Sequence, residues 1–135
     1  MSQEQELLDP NRSPLEHIQA LTPMSQTDAR SYLHFYLFKD DDSLRPIKDL
    51  SFGERARLTL AGLVVQGCNF LLLDEPINHL DIPSRTLFES ALKSYSGTIL
   101  AIVHDRYFVQ SFATEVWWVR PGEAGVPAQI EREIR

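Results

Sequence analysis

The sequence predicts an α/β protein in which a few parallel strands are flanked by helices and preceded by a small helical unit. Two short segments, 69–73 and 98–103, are apolar almost throughout, as expected for parallel strands that are buried on both faces. Segments with helical patterns lie before, between and after them, which is the arrangement of an α/β unit. At 135 residues, the chain is expected to form one domain.

Composition excludes several classes of protein. Thirteen Lys and Arg against 19 Asp and Glu give a net charge of −6, so no direct DNA binding is expected. One cysteine, Cys68, rules out an internal disulfide and a Cys-rich zinc site. No apolar run approaches the ~20 residues of a membrane helix, and the polar, acidic first residues differ from a secretory signal. We expect a cytoplasmic protein with no membrane partner.

The first third of the chain predicts two helices. Ser13, Pro14 and Glu16 have the order of a capped helix start, and Thr22-Pro23 predicts that this helix ends near Leu21. A second helix is expected to start at Ser25 and to run to about residue 38. Its apolar positions form one stripe: Ala29, Tyr32, Leu33, Tyr36 and Leu37.

The rest of the chain alternates helices and strands. A long helix is expected over 51–65, closed by Gly67, and a second helix begins at Asp81 and ends near Tyr95. A short helix at 107–111 and a strand at 115–119 follow the second apolar segment. Trp117 and Trp118 alternate across that strand, so one is expected in the core. Residues 130–135 are expected to form a solvated charged tail.

Polar side chains follow both apolar strands. Asp74 and Glu75 come directly after the first, and His104 follows the second. Ligands bind at the carboxyl ends of parallel strands, so these groups meet if the strands are neighbours. One carboxylate then suits Mg²⁺, the other can orient a water, and the imidazole can contact a phosphoryl group. Each residue alone is better explained as an ordinary strand end or helix cap; together they favour chemistry.

A second candidate is the helix start at Ser51-Phe52-Gly53-Glu54. A serine cap followed by a glycine, which permits close backbone approach, is an anion-binding arrangement. The alternative is an ordinary N-cap.

Four segments together resemble the ATP-binding cassette (ABC) ATPases. They are Leu50–Arg55, Phe70–Pro76, Asn78–Asp81 and His104–Phe108, in that order. The Asn-His-Leu-Asp and His-Asp-Arg-Tyr-Phe forms resemble the F subfamily (ABC-F), whose members carry two cassettes, lack a membrane domain and act on ribosomes. Asp81-Ile82-Pro83-Ser84-Arg85 resembles the second cassette. The resemblance spans about residues 3–120.

The resemblance implies roles in hydrolysis for three residues. Asp74 matches the Walker B aspartate that holds Mg²⁺, Glu75 matches the catalytic carboxylate that polarises water, and His104 matches the switch histidine. ATP and Mg²⁺ are thereby implied as ligands.

Five further residues match the family's nucleotide-contacting loops. Ser51, Gly53 and Glu54 match the signature loop, which contacts the γ-phosphate of ATP held by the opposite cassette. Asp81 matches the D-loop aspartate, and Gln3 resembles the Q-loop glutamine.

The resemblance also divides the chain and shows what it lacks. Residues 1–12 form a Q-loop-like entry segment, 13–50 the helical subdomain, 51–120 the signature, Walker B and switch half of a partial P-loop NTPase core, and 121–135 a loop and tail. No Gly-x-x-x-x-Gly-Lys-Ser/Thr loop, which cradles phosphates, occurs in the sequence. Phe52 stands where the signature usually has its first glycine.

These observations predict an ABC-F-like ATPase fragment that is inactive alone for want of a Walker A loop. The absent half is expected to leave an apolar sheet face exposed, so we expect self-association or a complementary cassette half as partner, and by resemblance a ribosome. The alternative is a non-catalytic interaction module that binds a partner chain through its open sheet edge.

Overall fold

The structure is a computed structural model that describes residues 8–39, 41–122 and 127–135. Its contacts divide the chain into two compact units, one ending at Ile102 and the other comprising Val103–Arg135.

The first unit contains four α-helices and a pair of strands within the described ranges. The helices begin where the sequence places capping residues: Ser13 and Ser51 each form a capping box with the glutamate three residues later, and Ser25 and Asp81 cap the other two. In chain order the elements are α1 (Pro14–Leu21), α2 (Gln26–Phe35), a 3₁₀ turn (Ile47–Asp49), α3 (Phe52–Val65), β1 (Phe70–Asp74), α4 (Ile82–Lys93) and β2 (Thr98–Ile102).

Helices α1 and α2 pack on each other, and α1 also packs on α3. Ile18, Leu33 and Leu58, one from each helix, are fully buried. The Tyr32 hydroxyl donates to the Ala61 carbonyl oxygen at 2.8 Å and so joins α2 to α3. These contacts make the helical layer that supports the start of α3.

The predicted second helix is too long at its C-terminal end. Helix α2 stops at Phe35, and Leu37 has a φ of +64°, which helical backbone does not allow. Leu37 is consequently exposed rather than part of the apolar stripe, while Phe38 is buried in its place.

Strands β1 and β2 are parallel neighbours, with Asp74 opposite Ile102 at the carboxyl ends. Leu71 and Leu73 point into the core. The expectation of burial on both faces is wrong for these strands, because alternate residues of both are exposed on one face. The expectation of an exposed apolar face is confirmed. We call it the open sheet face; its large residues are Phe70, Leu72, Leu100 and Ile102.

The second unit contains a short helix and an antiparallel strand pair. The elements are α5 (Arg106–Phe112), β3 (Glu115–Arg120) and β4 (Gln129–Ile134). The predicted solvated tail is therefore mostly a strand. Its side chains form ion pairs with β3, such as Arg120 to Glu131 at 3.0 Å. Both Trp117 and Trp118 are exposed, so the expectation that one is buried is also wrong.

No helix in the described part of the chain has the length and apolar character needed to cross a membrane.

Candidate functional site

The acidic pair Asp74–Glu75 lies at the edge of the sheet where both strands of the first unit end. Asp74 is the last residue of β1 and is exposed. The Glu75 amide donates to the carbonyl oxygen of Ile102, the last residue of β2, at 2.9 Å. The prediction of parallel strands is confirmed, and the two strands are neighbours, which was the condition for their carboxyl ends to lie together.

Glu75 has an unusual backbone conformation. Its φ of +48° lies in the left-handed region, which costs a residue with a Cβ roughly 1–2 kcal/mol. The hydrogen bond to Ile102 and the burial of the next two residues, Pro76 and Ile77, hold it there. Such conformations persist where surrounding structure enforces them, and they cluster at functional sites.

A compact loop carries the chain from Glu75 to the next helix. The Asn78 amide donates to the Glu75 carbonyl oxygen at 3.1 Å, and the Leu80 amide donates to the Ile77 carbonyl oxygen at 3.2 Å. These two turns deliver Asp81 to the N-terminus of α4 as its cap.

Asp81 is engaged by the helix that it caps. Its Oδ1 accepts from the Ser84 amide at 2.9 Å. Hydrogen bonds from the Ser84 side chain and amide, followed by the charge of Arg57, lower the pKa of Asp81. The group is therefore an ionised cap across the neutral pH range.

The start of α3 is built in the same way. The Ser51 Oγ accepts from the Glu54 amide at 3.2 Å, and the Ser51 amide donates to Glu54 Oε2 at 2.7 Å. Arg45 donates from Nη2 to Glu54 Oε1 at 2.8 Å, so both carboxylate oxygens of Glu54 are engaged. Ser51 is exposed at the end of this capped turn.

Gly53 is buried and has a packing reason to be glycine that the sequence did not reveal. A Cβ at this position would lie 2.5 Å from the Cβ of Ser84, closer than real Cβ contacts allow. The neighbouring Phe52 ring meets the His79 ring edge to face, with centroids 6.3 Å apart. The starts of α3 and α4 are thus packed directly against each other.

Arg57 is a buried cation that sequence reasoning missed. Its Nε donates to the Tyr36 carbonyl oxygen at 3.1 Å, and its guanidinium lies 5.7 Å from the Phe38 ring centroid. Burial lowers the pKa of Arg57, and the charges of Glu54 and two aspartates oppose that shift. An arginine between apolar residues 56 and 58 on a buried helix was the available signal.

The two remaining predicted residues are His104 and Gln3. His104 belongs to the second unit, directly before Asp105, which caps α5 by accepting from the Phe108 amide at 2.9 Å. Gln3 lies outside the described residues.

The donor set at the sheet edge fits magnesium. No group of three or more His, Cys, Asp or Glu side chains able to hold a metal occurs among the described residues. Mg²⁺ does not need one, because it typically takes one or two carboxylates and completes its shell with water and phosphate oxygens. Asp74, exposed at the strand end, is the carboxylate available for that arrangement.

Comparison with known proteins identifies the family. The sequence model for the ABC transporter family matches residues 1–78. The chain belongs to the ABC transporter family. It is 45% identical to YdiF of Bacillus subtilis over 115 residues and 39% identical to ABC transporter F family member 5 of Arabidopsis thaliana over 118 residues. Uup of Escherichia coli is 36% identical over 115 residues. The sequence relatives of this chain are thus of the ABC-F type.

Solved ABC structures share the fold. A dimeric ATP-binding cassette in a post-hydrolysis state, bound to ADP and Pi, superimposes with a TM-score of 0.69 at 20% identity, over 96% of this chain and 60% of that chain. CbiO1 of Clostridium perfringens, part of an ABC transporter complex, gives 0.64 at 23% identity, over 84% and 49%. The chain therefore has the α/β fold of part of an ABC cassette, which is a P-loop NTPase fold.

The chain spans only part of these proteins. The alignments to YdiF, the Arabidopsis protein and Uup cover 82–87% of this chain but only 17–18% of the relatives' length.

Proposed function

We propose that this chain supplies the water-activating half of an ABC-F ATP hydrolysis site. The observation that carries the proposal is the acidic pair at the carboxyl end of two neighbouring parallel strands, with Glu75 held in a strained backbone conformation. Family membership supports ATP as the substrate. The roles of individual residues are our assignment.

The proposed reaction is the hydrolysis of ATP to ADP and phosphate. Glu75 orients a water and accepts its proton as the water oxygen attacks the γ-phosphorus. The bond between that phosphorus and the oxygen shared with the β-phosphate breaks, and ADP leaves. Positioning and charge stabilisation do most of the work in such transfers. Fixing the Glu75 backbone through Ile102 suits this demand, because it limits where the carboxylate can go.

Asp74 would hold Mg²⁺, which would supply positive charge to offset the negative charge of the phosphate oxygens. We assign nucleotide contact to the signature residues Ser51, Gly53 and Glu54 and to Asp81. Gln3 is assigned the Q-loop role and His104 the switch-histidine role, both from the family pattern.

We further propose that the chain hydrolyses ATP only together with a complementary cassette segment. Its sequence has no lysine-containing phosphate loop, so nothing in it can cradle the β- and γ-phosphates in the family's manner. The open sheet face supports the same idea, since exposed contiguous apolar surface marks an interaction site. Action on ribosomes in the cytoplasm, as second-cassette material of an ABC-F protein, remains our prediction.

The test is ATP hydrolysis by this chain, by a segment that carries a Gly-x-x-x-x-Gly-Lys-Ser/Thr loop, and by their mixture. We expect hydrolysis only in the mixture. Glu75→Gln should reduce it by about 100-fold or more, as expected for loss of a general base. Glu89→Gln is the matched control: it makes the same charge change on α4 at a carboxylate paired with Arg85 at 2.9 Å. It should leave the rate within about twofold.

The second candidate is a non-catalytic interaction module, favoured by the same open sheet face. It predicts that the complementary segment binds but that the mixture hydrolyses no ATP. Binding measured by calorimetry in parallel with the rate separates the two functions. If the segment neither binds nor supports hydrolysis, both candidates are wrong.

A further inference from the structure

Helices α3 and α4 meet at their N-terminal ends. Gly53, the second residue of α3, faces Ser84, the third residue of α4. A Cβ on Gly53 would lie 2.5 Å from the Ser84 Cβ and 2.6 Å from its Oγ, whereas Leu80 Cδ2 would be at an ordinary 3.5 Å. The obstruction therefore comes from Ser84, and only a residue without a side chain permits this approach.

An aromatic contact joins the same two segments. The Phe52 and His79 rings are nearly perpendicular, at 82°, which is a favoured geometry for aromatic pairs. His79 makes this contact from a backbone with a φ of +66°. A histidine can adopt this region, although most residues with a Cβ avoid it.

Both helix caps lie directly beside these contacts. Phe52 and Gly53 stand between Ser51 and the amide of Glu54 that Ser51 caps. On the other helix, Ser84 carries the amide that Asp81 caps. A change in the spacing between the helices would therefore disturb both caps. The buried guanidinium of Arg57, one turn further along α3, adds an attraction toward Asp81 across the same pair of helices.

We propose that the Phe52–His79 contact and the Gly53–Ser84 packing form a lock between the two helix starts. The lock holds Ser51 and Asp81 as one rigid body, and His79 and Ser84 are positioning residues. The value of the lock for catalysis rests on the proposed function, because Ser51 and Asp81 are the residues assigned to nucleotide contact. The lock itself is a property of the first unit without nucleotide.

The direct test exchanges the sizes of the contacting residues at positions 53 and 84, which we call the size swap, in the 135-residue chain with no nucleotide present. Amide hydrogen exchange is read at Glu54 and Ser84, the two capped amides. Gly53→Ala should speed exchange at both by about tenfold, since overpacking at a tight contact disturbs both sides. The double variant Gly53→Ala/Ser84→Gly should return Glu54 close to its original rate, because the clashing atoms are gone.

Gly62→Ala is the matched control. It adds the same methyl group to the same helix, where the nearest atoms belong to His17 and Leu21 and not to α4. Exchange at Ser84 should not change. The lock is wrong if Gly53→Ala affects Glu54 alone, or if the size swap does not restore it.

A second measurement covers the case in which Gly53→Ala does not fold. Phe52→Leu and His79→Asn alter partly or fully exposed side chains, and asparagine also tolerates a positive φ. Each should speed exchange at the remote cap, and the double variant should show a coupling of about two- to tenfold. In Phe52→Leu the His79 ring protons, and in His79→Asn the Phe52 ring protons, should lose the chemical-shift displacement that the ring current of the other ring causes. Additive effects with no ring-current change would overturn the lock, whether or not the chain takes part in ATP hydrolysis.

Discussion

Leu72 and Leu73 are adjacent on β1, and the structure predicts opposite consequences for shortening them. Leu73 is 5% exposed and belongs to the core, whereas Leu72 is 60% exposed on the open sheet face. Leu73→Ala should lower the free energy of unfolding by about 2–5 kcal/mol, the usual cost of a buried leucine. That is a large share of the roughly 5–15 kcal/mol that stabilises a domain.

Leu72→Ala should cost about 1 kcal/mol or less in the chain alone, because a fully buried leucine contributes about 1.5–3 kcal/mol and most of this one is in water. Urea unfolding followed by far-ultraviolet circular dichroism measures both variants. With a complementary cassette segment present, Leu72→Ala should weaken binding instead. Equal losses of stability for the two variants in the isolated chain would refute the exposed face, and unchanged binding would refute its role as an interface.

Three further predictions concern the first unit. Gly97→Ala should lower the free energy of unfolding by more than about 2 kcal/mol, because its Cβ would lie 2.5 Å from the Asn69 carbonyl oxygen. Gly67→Ala has open space around its Cβ but a φ of +80°, so it should cost about 1 kcal/mol. Thermal unfolding of both variants measures the difference. Burial and the charge of Arg12 lower the pKa of His17 in the folded state. The stability that the neutral His17 imidazole contributes is therefore complete above the ordinary pKa of 6.5 and is lost as the pH falls through the folded-state pKa. The free energy of unfolding, measured between pH 7.5 and 4.5, should fall less steeply for His17→Gln than for the unchanged chain, and identical slopes would contradict this. Arg57→Lys should lower the free energy of unfolding by about 1–3 kcal/mol in urea, since lysine cannot reproduce the Nε hydrogen bond in a buried position, and no loss would show that this bond is unimportant.

Local signals predicted the helix starts of this fold. Serine followed by glutamate three residues later predicted the capped helix start at Ser13, because both hydrogen bonds of a capping box lie within four residues. At Ser51 the sequence predicted a helix start, and the structure shows that its cap is also a capping box. The end of α2 was not predicted, because it depends on the packing of Phe38 in the core. Leu37 adopts a left-handed backbone that lets Phe38 be buried, and nothing in the leucine side chain itself indicates this conformation. Strand β4 was missed because it has three consecutive charged residues between Ile130 and Ile134 and no apolar alternation, so its pairing depends on β3 lying opposite it.

The acidic edge could be predicted from the sequence, and the contacts between helix starts could not. Asp74 and Glu75 follow an apolar strand, and parallel pairing brings strand ends together in any α/β sheet. Gly53 and Ser84 are 31 positions apart, and each has an unremarkable local explanation, a flexible turn and a polar helix start. The exposure of Leu72 likewise depends on what covers the sheet, which an apolar strand sequence does not specify.

The proposed function requires that nucleotide chemistry take place at Asp74 and Glu75. The most direct measurement is paramagnetic broadening of backbone resonances by Mn²⁺, used in place of Mg²⁺, in the mixture of this chain, ATP and the complementary segment. We predict that broadening centres on residues 74 and 75 and disappears in Asp74→Asn but not in the control Asp28→Asn, an exposed residue near the start of α2. Broadening centred elsewhere, or unchanged by Asp74→Asn, would contradict the claim.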